Sequence, residues 1–151
     1  MLSYDRLEKH AELLQLIEHY ERFLAQQSAG LRASKLDCMP HARTVTPDRI
    51  GQILADKERA IETLRRLRIL EEQQRPLVQE TIKTACSSRG RAAVKVELAM
   101  TMRYQRGESW DMICDVLHEP NPRQIRSLII SRLERARQKD GIDTGTAGGA
   151  V

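Results

Sequence analysis

The sequence predicts an all-α fold: a long antiparallel helical hairpin, coiled-coil-like, followed by a compact four-helix unit that ends in a helix-turn-helix. Three observations lead there. Aromatic residues are only 3% of the 151, with one Trp and one Phe, so strand-forming material is scarce. Leu, Glu, Arg, Gln and Ala, which lose little freedom in a helix, dominate instead. Apolar residues recur at spacings of three and four between clear helix starts and stops. With 30% of residues charged, much of this helix surface must lie in water.

The first helix is expected from about Tyr4 to Gln27, capped by Ser3 and ended by Ser28-Ala29-Gly30. Leu7, His10, Leu14, Ile17, Glu21 and Leu24 form one stripe, and Leu13, Leu16, Tyr20 and Phe23 form an adjoining one. Two stripes imply more than one neighbour. Residues 31–45 show no period and contain Pro40, so they read as a connector; Cys38 and His41 within it are too few for a closed metal site. Thr46-Pro47-Asp48 is a helix start, with a cap, a proline at the first position and an acid. The second helix is expected to run to about Gln74, with Ile50, Ile53, Leu54, Ile61, Leu64, Leu67 and Leu70 as its apolar face. Arg75-Pro76 should break it, because proline lacks the N–H and restricts its predecessor. A third helix then spans Leu77 to Cys86, with Leu77, Val78, Ile82 and Ala85 inward. After the turn Ser87-Ser88-Arg89-Gly90, a fourth spans Arg91 to Gln105, with Val94, Leu98, Ala99 and Met102 inward and Gly107 closing it.

The last stretch, RGESWDMICDVLHEPNPRQIRSLIISRLERARQ, carries the most information. Ser109 is placed to cap a short helix with Asp111 in its first turn, where the helix dipole favours a carboxylate. Trp110, Ile113, Cys114 and Leu117 give that helix one apolar face. His118-Glu119-Pro120 is a turn, and Asn121-Pro122-x-Gln124 supplies cap, N1 proline and N3 glutamine to a second helix. On it, Ile125, Leu128, Ile129, Leu133 and Ala136 form a core-facing stripe. Between Arg123 and Lys139 there are six basic residues and one acidic, Glu134. A short helix packed on a longer cationic one is the helix-turn-helix pattern, whose second helix enters the major groove of DNA. The plain alternative is a helical bundle with a basic, solvated face.

Met102-Arg103-Tyr104-Gln105-Arg106-Gly107-Glu108-Ser109-Trp110-Asp111-Met112-Ile113-Cys114, followed by Leu117, resembles the RY-x-x-G-x-S-W-x-x-I-A-x-x-L core of phage-encoded regulators of the ArpU/RinA and sigma-factor-like type. The resemblance covers the last third of the chain. Cys114 stands where alanine is usual, and the turn at 118–121 is about one residue longer than the standard one. It implies a DNA-binding domain similar to the C-terminal domain of bacterial sigma factors, with RNA polymerase as a partner and late or morphogenetic phage genes as targets.

The net charge is +4 and 19 of the 25 basic residues are Arg. Residues 1–75 nearly balance, at 13 basic to 12 acidic, so the excess lies in the final helix. The expected organisation is 1–75 as a hairpin for dimerisation or partner binding, 76–139 as the DNA-binding unit and 140–151 as a disordered tail. On the last helix Arg123, Gln124, Arg126, Ser127 and Ile130 are expected at the groove, where Arg can read guanine and Gln adenine. Arg135, Arg137 and Lys139, with Arg103 and Arg106, are expected at phosphates, and Arg132 in an internal ion pair. Trp110 reads as core rather than as a stacking platform, and Glu18, Glu21, Glu71 and Glu72 as solvated.

No P-loop, G-x-S-x-G, H-E-x-x-H or spaced carboxylate cluster occurs, so neither enzyme chemistry, a cofactor nor a metal is expected. Three cysteines at unrelated spacings give no disulfide framework. With no long apolar run, the chain is expected in the cytoplasm of a bacterial host, away from membranes. The expected activity is sequence-specific transcriptional regulation of phage or prophage type. Two other classes fit the same pattern: a DNA-packaging recognition subunit like a small terminase, and a helical adaptor or inhibitor that binds another protein.

Overall fold

The computed structural model describes the backbone of residues 1–36 and 47–146 and the side chains of residues 1–28 and 49–141. Every element among the described residues is helical. Helix α1 is Tyr4–Leu36, α2 is Pro47–Ala85, α3 is Arg91–Met100, α4 is Trp110–Leu117 and α5 is Pro122–Thr146. A π-helical turn, Thr101–Gln105, continues α3 without a break. No described helix is long and apolar enough to cross a membrane. The connector within 37–46, with Cys38 and His41, and the last five residues lie outside the described residues.

The hairpin is longer than its sequence signals indicate. Helix α1 passes through Gly30 to Leu36, because one glycine costs a helix only about 1 kcal/mol and good helix formers follow it. Helix α2 passes through Pro76, where a break was expected, so the separate third helix does not exist. Proline costs a helix interior about 3 kcal/mol. Two things hold the helix together across it. Arg75 forks onto the Glu71 carboxylate one turn back. Val78, Thr81, Ile82 and Ala85 are buried on the far side, so packing rewards the continuation. Residue 75 is therefore not a structural joint. Nor is residue 140, since α5 continues to Thr146.

The core also crosses the expected boundary. Leu7 and Ala11 of α1 are buried in one cluster with Val78 and Ile82 of α2, Val96 and Met100 of α3, Trp110 and Ile113 of α4, and Ile125, Ile129 and Leu133 of α5. His10 is buried in the seam, and its Nδ1 meets Gln74 Oε1 at 3.1 Å. Farther out, Arg68 donates to Glu21 across the hairpin at 2.7 Å. Away from the core the arm is thinly covered. Ala60 and Leu64 are buried, but Ile50, Leu54, Ile61, Ile69, Leu70 and Leu77 are exposed. Glu71 is not solvated as expected; it is buried under Arg75.

The phase of α3 also differs from the expected one. Ala93, Val96, Ala99 and Met100 face inward, while Val94 is 65% and Leu98 42% exposed. Counting back in fours from Met102 crosses the π-helical turn, which inserts an extra residue and shifts the face. Arg106 N–H donates to Thr101 O and Glu108 N–H to Met102 O, at 3.3 and 3.0 Å. The widened turn lets three successive side chains, Met102, Arg103 and Tyr104, all point inward. Gly107 then leaves the turn at φ +71°, with its α-carbon against Leu14 of α1.

Candidate nucleic-acid interface

Helices α4 and α5 are set by their caps. Ser109 Oγ accepts from Met112 N–H at 3.3 Å and starts α4. Helix α4 ends at His118, φ 55°, in a Schellman arrangement: His118 N–H donates to Asp115 O and Glu119 N–H to Cys114 O. Asn121 Oδ1 accepts from Arg123 N–H at 3.0 Å and starts α5. Lys95 of α3 pairs with Glu119, tying the turn down. The turn is thus held by hydrogen bonds at both ends.

Of the expected apolar residues, Trp110, Ile113, Ile125, Ile129 and Leu133 are buried, and Cys114 and Leu117 are half-buried against them. Leu128 is a correction: it is 43% exposed, because α5 rests on the core through the narrower stripe of Ile125, Ile129, Leu133 and Ala136.

The expected DNA contacts separate into groups. Arg123, Gln124 and Ser127 are exposed on the first two turns of α5. Ile130 is half-buried and borders a cleft with Ser3, Tyr4 and Asp5, so it faces α1 rather than the groove side; Arg137 lines the same cleft. Arg135 and Lys139 border a different cleft, against the end of α2. Arg106 is exposed. Arg103 does not fit a phosphate contact. It is buried, donating to Glu8 Oε2 at 2.9 Å and to Glu108 O at 3.0 Å. Arg132 is not in an internal ion pair; it bonds Ser88 Oγ in the turn before α3.

Sequence patterning gave no sign of the arrangement around Trp110. The Arg103 guanidinium lies 5.0 Å from the ring centroid and that of Arg126 lies 4.9 Å from it. Such cation–π contacts are strongest where the cation is desolvated. Arg126, expected at the groove, is therefore held over the indole. Beneath it, Tyr104 OH donates to Glu8 Oε1 at 2.9 Å. Burial, then the Glu8 charge, push the Tyr104 hydroxyl far above its ordinary pKa and raise that of half-buried Tyr4. Both phenols stay protonated at neutral pH, and Tyr104 donates to Glu8. Glu8 thus binds the start of α1 to the π-helical turn. The signal was present as Glu8, seven residues before Gln15 on a face that also meets Gly107 O, but nothing in one sequence pairs it with Arg103.

Among the described residues no group of three or more His, Cys, Asp or Glu side chains is arranged to hold a metal. Comparison of the chain with protein-family models, with curated proteins and with solved structures returns no match.

Proposed function

We propose that the chain is a sequence-specific DNA-binding regulator of phage type, placing the first turns of α5 in the major groove. One observation carries this reading. Arg123, Gln124 and Ser127 stand exposed at the start of a capped helix that is anchored from behind by Ile125 and Ile129. Arg123 and Gln124 have the geometry for bidentate contact with guanine and adenine edges, and Ser127 can donate to either. Arg106, Arg135 and Lys139 supply phosphate contacts, and the hairpin joins two copies or meets RNA polymerase. Exposed Ile50, Leu54 and Ile61 on α2 support the self-association.

A second reading draws on a different observation. Val94 and Leu98 on α3, and Met112 and Val116 on α4, are exposed in pairs one turn apart. Such pairs suit a protein partner, as in a helical adaptor. Selection from a random duplex library separates the two. The regulator returns a defined site, and Arg123→Ala weakens it by about 1–3 kcal/mol at one base position. An adaptor enriches no sequence and binds no duplex even at low salt.

A further inference from the structure

We infer that the cleft between the end of α2 and the C-terminal half of α5 is a binding site for a phosphate group. The cleft holds about 280 Å³ and is lined by Thr84, Ser87 and Ser88 on one wall and by Arg132, Arg135 and Lys139 on the other. Its chemistry is one-sided. Three cations and three hydroxyls face it, and no carboxylate lines it. Arg135 and Lys139 form no ion pair among the described residues. Three cations that share one cleft with no carboxylate in its lining together attract an anion.

The wall is also built rather than incidental. Arg132 is half-buried and already donates to Ser88 Oγ, which fixes the guanidinium at the rim and leaves its other donors free. Burial and then the Glu97 charge raise the neighbouring Cys86 thiol's pKa, and the Arg132 charge opposes them. A planar guanidinium beside hydroxyls and a second Arg matches the several acceptor oxygens of a phosphate better than it matches a lone carboxylate.

Two sources could supply that phosphate: the backbone of a duplex, or a small phosphorylated molecule. The first deepens the DNA-binding reading and rests on it. Arg123 and Arg135 are separated by about 18 Å along α5, more than the roughly 12 Å width of the major groove. With Arg123 over base edges, the cleft meets flanking backbone and not bases. The site adds affinity without adding sequence preference.

The experiment compares the full chain with the double variant Arg135→Gln, Lys139→Gln, both exposed positions, after circular dichroism shows equal helicity. Inorganic phosphate is titrated into each and followed by amide NMR. Saturable shifts at Thr84, Ser87 and Ser88 that vanish in the variant are expected. Their absence in the unaltered chain overturns the site. Duplex binding is then measured across a salt series. A slope of log affinity on log salt that falls by about two in the variant, with an unchanged site preference, assigns the phosphate to the DNA backbone. An unchanged slope with the shifts present assigns it to a free phosphorylated ligand. No duplex binding by the unaltered chain refutes the regulator while the NMR shifts still decide the cleft.

Discussion

Gly107→Ala should be among the most damaging single-methyl changes in this chain. The glycine sits at φ +71°, and an added Cβ would lie 2.8 Å from Leu14 Cβ, closer than real Cβ atoms approach. Two costs add. Left-handed backbone costs a residue with a Cβ roughly 1–2 kcal/mol. Overpacking costs a further 1–3 or so, because the opposing atom is a Cβ fixed to helix α1 and cannot rotate away. The sum is about 2–5 kcal/mol, and in a chain of this size each kcal/mol moves the melting midpoint by about 2–4 °C. A fall of about 4–20 °C by circular dichroism is therefore expected. The steric part can be isolated: Leu14→Gly removes the opposing Cβ, so the double variant should recover at least about 1 kcal/mol relative to the sum of the singles. A Gly107→Ala protein within about 0.5 kcal/mol of the parent would refute the close approach of the π-helical turn to α1.

Four further outcomes follow. Arg126→Ala should blue- or red-shift the emission of Trp110, the single tryptophan, and cost about 0.5–1 kcal/mol of stability; an unmoved spectrum would remove the guanidinium from the ring. Glu8→Leu strands the buried Arg103 and should destabilise by about 3 kcal/mol or more in urea melts, whereas Arg103→Met with Glu8→Leu recovers much of it. Pro76→Ala restores a helix donor and should raise the midpoint by a few degrees; a fall would mean the proline shapes a needed bend. The Cys86 thiol is pushed up to about 11, first by burial and then by Glu97. Because the folded pKa is raised, its stabilising effect is complete below the unfolded value, near 8.5, and is lost as pH climbs toward 11. Alkylation of Cys86 in the native chain should accordingly be slow at pH 8.5 and speed up on unfolding.

The helices that carry their own punctuation were legible from sequence. Ser109 and Asn121 each cap a helix with a single local hydrogen bond, and that bond needs no knowledge of the rest of the fold. Pro76 misled because its local penalty is real but smaller than the reward for burying Val78, Thr81 and Ile82 on the same helix. The α3 face misled because a π-helical turn has no composition signal, and one inserted residue rotates everything counted across it. The candidate interface was legible as a helix and a charge excess. The fates of individual arginines were not: Arg103, Arg126 and Arg132 are chemically alike, and only partners distant in sequence (Glu8, Trp110 and Ser88) decide which is buried, stacked or clamped.

The uninterrupted course of α2 bears on how the two halves of the molecule communicate. Thirty-nine residues of one helix measure about 58 Å. Its C-terminal turns share a core with α5, and its other end carries the exposed Ile50 and Leu54. A flexible joint at residue 76 would have made the arm a leash, raising local concentration and leaving α5 free to tumble. A rigid strut does more. Whatever grips the distal end also sets the direction in which α5 points, so under the proposed function pairing two arms would fix the distance and angle between two α5 helices as a ruler would. Spacing between bound half-sites would then be written into helix length, and inserting four or seven residues into α1 and α2 together would change it by whole turns.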